Sequence, residues 1–213
     1  MNRFALTTLV LLSCVIASCT KERVTPVDSV LRATFAYKPG TYWIYKDSLS
    51  GREDSFAVLY NESPMLSRDQ YNKKATESSR IFVYYNGILN DSLYCNWFLS
   101  ENIVHYWYVA DGKAPMVYDV LFGYPYTAVD VQYGSVEQPC KIVSYQLADS
   151  FAGELMANVA EIDVKGTMDS VGYTIPYNDR FFVTTTAGIV KMSFRHGFVN
   201  NVWELQRYNI VRQ

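Results

Sequence analysis

Histidine and cysteine are scarce in this chain, with two and four residues among 213. So thin a supply leaves little material for metal centres or for nucleophilic chemistry that needs a histidine. An excess of either charge is missing too. Nineteen Lys+Arg stand against 21 Asp+Glu, a net charge of −2. No basic face is available to neutralise phosphates, so nucleic acid is not an expected partner. Long apolar runs are absent. The uncharged run Phe4–Ser18 has fifteen residues, short of the roughly 20 that a helix needs to span a bilayer. Eleven Gly and seven Pro are too few for a collagenous or low-complexity chain. What the chain does have is 49% hydrophobic and 15% aromatic residues, 18 of them Tyr, a composition that suits strands.

The N-terminus carries an address. Arg3 precedes the uncharged run, and small residues follow it, the pattern of a secretory signal peptide. The run ends Ile16-Ala17-Ser18-Cys19, followed by Thr20 and the charged Lys21-Glu22-Arg23. This resembles the lipobox of bacterial lipoproteins: an aliphatic residue, two small ones, then cysteine. The resemblance implies a diacylglycerol on the Cys19 sulfur, cleavage before Cys19 and acylation of the new amino group with a fatty acid such as palmitate. Residues 1–18 are then the signal peptide. The remaining 195 residues carry a net charge of −3, because Arg3 is lost. That length suits one domain, with roughly 70% of the unfolded surface buried. Residues 19–33 are polar, include Pro26 and show no clear period, so a flexible tether is expected there. A single β domain is expected over 34–213.

Cys14 departs with the signal peptide and Cys19 takes the lipid, which leaves Cys95 and Cys140. An exported compartment permits a disulfide, and a Cys95–Cys140 bridge is the expectation, with a pair of buried thiols as the alternative.

The domain reads as strands. Tyr42-Trp43-Ile44-Tyr45 and Ser55–Tyr60 flank the turn residues Asp47-Ser48-Leu49-Ser50-Gly51. Further runs are Ile81–Tyr85, Ser92–Leu99, Ile103–Val109, Met116–Phe122 and Cys140–Leu147. From Val159 the alternation is clean. Ala160, Ile162 and Val164 share one face, and Glu161, Asp163 and Lys165 the other. Val190, Met192 and Phe194 oppose Lys191, Ser193 and Arg195, and Trp203–Val211 closes the chain. Weak helical patterns occur only at 65–78 and at Phe151–Asn158. The expected fold is all-β: an antiparallel curled sheet, half-barrel or sandwich, of about ten strands with at most one or two short helices.

Two segments carry a second resemblance. Lys38-Pro39-Gly40-Thr41-Tyr42-Trp43-Ile44-Tyr45-Lys46-Asp47 is similar to the first strand of many small lipoproteins of Bacteroidota-type bacteria. Gly188-Ile189-Val190-Lys191, then Trp203-Glu204-Leu205 and Arg207-Tyr208, are similar to their last two strands. The resemblance implies a lipid-anchored β domain and no particular activity. Lipoprotein-carrier half-barrels share the general look.

The chain contains no G-x-S-x-G, G-x-x-x-x-G-K-[ST], H-E-x-x-H or C-x-x-C motif. His105 and His196 lie ninety-one residues apart and read as strand residues, so no metal site and no cofactor are expected. Glu53-Asp54, Glu161 with Asp163, and Asp169 are the carboxylates that paired acid–base chemistry would need. Glu161 and Asp163 read better as a solvated strand face. The aromatic clusters Tyr42/Trp43/Tyr45, Tyr94/Trp97/Phe98 and Tyr106/Trp107/Tyr108, with the loop Tyr124-Pro125-Tyr126, are core packing or a surface for a ligand. The expectation is a lipid-anchored, non-enzymatic binding module of the outer membrane, on its periplasmic face. Its partner would be a protein, a glycan or an apolar molecule. A structural subunit of an envelope complex and a carboxylate-based hydrolase are the alternatives.

Overall fold

The computed structural model describes residues 23–212 apart from 70–73, 86–92, 101–102, 111–115, 124–131, 135–138, 171–172 and 197–198. In chain order its elements are β1 (Arg23–Thr25), α1 (Ser29–Phe35), β2 (Tyr42–Asp47), β3 (Glu53–Asp69), β4 (Lys74–Tyr85), β5 (Leu93–Ser100) and β6 (Ile103–Ala110). Then come β7 (Met116–Gly123), β8 (Gln132–Gly134), β9 (Pro139–Phe151), β10 (Glu154–Ser170), β11 (Tyr173–Thr184), β12 (Gly188–His196) and β13 (Val199–Asn209). The all-β expectation holds.

All thirteen strands belong to one sheet. Its order is β7-β6-β5-β4-β3-β2-β13-β12-β11-β10-β9-β8, with β1 added in parallel to β4. Neighbours along this path pair antiparallel, so the sheet is two meanders joined where the last strand pairs the second. That join matches Leu205 with Tyr45 and Tyr208 with Trp43. Strand β7 comes close to β8, β9 and β10, which requires the sheet to curl until its ends approach. No ladder among the described residues joins those ends, and the sheet is not closed into a barrel.

Alternation decides which face is covered. In β2, Trp43, Tyr45 and Asp47 are buried, while Tyr42 and Lys46 are exposed. Ala160, Ile162, Val164, Val190 and Met192 are buried, as their spacing predicts. They form one cluster with Trp43, Tyr45, Phe181, Trp203 and Leu205. Two of the buried polar tips find acceptors. Trp43 Nε1 donates to the Ala187 carbonyl at 2.5 Å, and the Tyr45 hydroxyl to that of Ile189 at 2.7 Å. Register slips occur at Leu205/Arg207, Phe182/Val183 and Glu161/Ile162. Such bulges add twist and help a sheet to curl.

The structure corrects two expectations. The tether expected over 19–33 is folded from Arg23 onward, as β1 and α1. Asp28 caps α1 by accepting from the N–H groups of Val30 and Leu31. A seven-residue helix is marginal alone. Here Val27, Leu31 and Phe35 are buried in the main cluster, which contributes about 1.5–3 kcal/mol for each large side chain. The helical patterns at 65–78 and 151–158 are instead strand wherever those residues are described, apart from the turn Ala152-Gly153. The residues expected to be helical at 151–158 lie at the tip of the long β9–β10 hairpin.

Cys140 is buried in the apolar cluster, on β9 opposite Val164 and Tyr133. Cys95 occupies a position on β5 opposite Val83; its side chain, and with it the expected Cys95–Cys140 bridge, lies outside the described residues.

Candidate functional site

The face turned away from the core carries a row of residues in strict cross-strand register. It runs Ser144, Glu161, Phe182, Lys191, Glu204, Lys46 and Glu53, across β9, β10, β11, β12, β13, β2 and β3. Charges alternate along it, as directly opposed strand residues favour. Ser144 Oγ donates to Glu161 at 2.8 Å, and Lys191 Nζ to Glu204 at 2.6 Å. Arg207 adds a contact to Glu53 at 3.3 Å.

Phe182 interrupts the charges. Its neighbour Phe181 is buried in the core, so strand geometry sends Phe182 to the other face. The β9–β10 hairpin returns over this place. Tyr208 donates to the Glu154 carboxylate beyond the hairpin tip at 2.8 Å, and burial with that carboxylate beside it raises the Tyr208 pKa. The Phe151 ring lies 6.1 Å from the Phe182 ring at 50°. Lys191 Nζ stands 5.8 Å from the Phe182 ring centroid. Between hairpin and sheet lies a cavity of about 310 Å³, lined by Asp149, Phe151, Phe182, Lys191, Glu204 and Gln206, among others. Aromatic faces beside a cation and a carboxylate can stack on a ring and hydrogen-bond its substituents.

Of the sequence-predicted residues, Glu161 and Asp163 come together, but on an arginine. Arg180 reaches Glu161 at 2.6 Å and Asp163 at 2.8 Å. This is an ion cluster binding β10 to β11, and it explains why Asp163 is buried although its position alternates outward. Glu53 points to Arg207 and belongs to the same row. Asp54 is on the buried face of β3, where the Ser55 N–H donates to it at 2.7 Å. Asp169 lies opposite Thr174 near the far end of β10. Five strands separate the backbone positions of His105 on β6 and His196 on β12. Among the described residues, no group of three or more His, Cys, Asp or Glu could hold a metal ion.

The first aromatic cluster divides by face: Trp43 and Tyr45 are core, and Tyr42 is exposed. In the second and third, the register sets Trp97 opposite Tyr106 and Asn96 opposite Trp107. The side chains of these two clusters, the loop Tyr124-Pro125-Tyr126, and Cys19 with the whole lipobox lie outside the described residues. Sequence reasoning missed Phe151 and Phe182 as a pair. The available signal was the doublet Phe181-Phe182, since adjacent strand residues cannot both face the core.

Comparison with known protein families, with curated proteins and with solved structures finds no match to this chain. No described helix is long and apolar enough to cross a membrane.

Proposed function

We propose that this chain is a lipid-anchored cell-envelope protein, held on the periplasmic face of the outer membrane through Cys19. Its β domain acts as a non-enzymatic binding module. The cavity under the β9–β10 hairpin is its site, and a short glycan is the ligand its chemistry suits. The observation that carries this reading is the pairing of the Phe151 and Phe182 rings beside the Lys191–Glu204 ion pair. The volume, about 310 Å³, is at the small end of ligand cavities, which favours one or two sugar rings over a larger molecule. An apolar passenger is less suited. Where the core is described it is filled, by Phe35, Trp43, Tyr45 and Phe181 among others. Of the carboxylates that hydrolysis would need, Glu161, Asp163 and Glu53 are engaged with Arg180 and Arg207.

Ligand-observed NMR with a panel of short oligosaccharides tests the reading. Binding of at least one member is expected, with a loss of roughly tenfold or more in the Phe182→Ala chain, on the scale of 1–3 kcal/mol for a stacked ring. Binding that survives unchanged in Phe182→Ala contradicts the site. A structural role in an envelope complex is the second reading. It is favoured by the largely bare Leu147 and Leu155 on the arms of the same hairpin.

A further inference from the structure

Strand β1 begins at Arg23. From Cys19 to Arg23 there are four Cα–Cα steps, a reach of at most roughly 14 Å. An anchored domain on such a leash is held against the bilayer with the β1 end down. This follows only if Cys19 is acylated, so the inference rests on the anchor proposed above.

The surface at that end has the corresponding chemistry. Strand β1 pairs Val24 with Ala75, and β4 pairs Glu77 with Leu66. Ala75 and Glu77 are two residues apart, so Val24 and Leu66 share one face. Glu77 accepts from the Val27 N–H at 3.2 Å and pairs with Arg32 at 2.6 Å, so this is the face that α1 lies against. Val24 and Leu66 thus lie on the face that carries α1, Val30 is in its first turn, and the three are 46%, 48% and 53% exposed. Arg23, Lys74 and Arg68 occupy register positions at the same end, against Asp69.

We propose that the β1–α1 end, with Val24, Val30 and Leu66, rests in the headgroup layer of the membrane that holds the lipid anchor. The domain is thus seated in one orientation rather than swinging on a tether. Bare apolar side chains, with basic residues at register positions of the same end, are the features that settle into such an interface.

The test uses the full acylated chain in vesicles of phosphatidylethanolamine and phosphatidylglycerol. A benzophenone photo-crosslinker replaces Val24, Leu66 or, as control, Leu49, which is 73% exposed on the β2–β3 turn. All three positions are on the surface, so the fold tolerates them. After irradiation, mass spectrometry is expected to show phospholipid adducts at 24 and 66 and none at 49. Adduct levels at 24 and 66 no higher than at 49, on a chain whose Cys19 is acylated, overturn the seating and leave the anchor standing. Protein–protein adducts in place of lipid adducts at 24 and 66 overturn it as well. A chain with no acyl group on Cys19 overturns the anchor itself and the seating with it.

Discussion

Asp179 is a carboxyl in the wrong place for a charge. It sits on the buried face of β11, wholly inaccessible, beside Val164, Tyr177 and Phe181. One oxygen accepts the Arg195 N–H at 2.7 Å, and the other has no partner among the described residues. Burial pushes its pKa up to about 7, against the pull of that N–H. The folded state therefore binds the proton more tightly than the unfolded chain, whose Asp titrates near 3.8. Stability contributed by the protonated form is full below pH ~4 and is lost as the pH rises to about 7. The interval corresponds to a loss on the order of 4 kcal/mol. Asp179→Asn keeps an acceptor for Arg195 and removes the titration. Urea denaturation is expected to show the variant matching the parent near pH 4 and exceeding it by a few kcal/mol at pH 8. A parent and variant whose stabilities run parallel across that range contradict the account. Periodicity alone gave no warning here, because Asp179 occupies an inward position that hydrophobic patterning assigns to an apolar residue.

Among the elements, the β9–β10 hairpin sets the shape of the candidate site. Its two-residue tip, Ala152-Gly153, has φ of +53° and +76°, the left-handed pair of a tight hairpin turn. Glycine adopts this readily, whereas alanine is strained there by about 1 kcal/mol. Ala152→Asn, which restores the favoured Asn-Gly pair, is expected to raise stability by up to about 1 kcal/mol. Ala152→Val should lower it by a similar amount or more, since branching makes the left-handed conformation harder to reach. Equal urea midpoints for the three proteins would show that the tip does not hold this turn. The strained alanine also explains why the hairpin was not legible: without Asn or Asp before Gly153, residues 151–158 carry no turn signal and look weakly helical. Helix α1 failed to stand out for the opposite reason. Its signals were present, an Asp28 cap and Val27, Leu31 and Phe35 four residues apart. They are confined to two turns inside a polar stretch. The strands with long alternation, β10 and β12, were plain because their period of two continues over many residues.

For the whole molecule, the sequence supports a curled antiparallel sheet but is silent on how it joins. The decisive ladder, β13 on β2, unites residues more than 150 positions apart, and no local pattern reports such a pairing. The same distance hid the site, which needs β9 and β10 to fold over β11, β12 and β13. The lipobox is the most local of the signals, and the proposed anchor rests on it. The proposed location and seated orientation both follow from acylation of Cys19. Fatty-acid labelling of cells that express the chain or its Cys19→Ala variant tests that claim directly. The account predicts a labelled mature chain beginning at Cys19, and an unlabelled, uncleaved Cys19→Ala precursor. Label retained by the Cys19→Ala protein would contradict it.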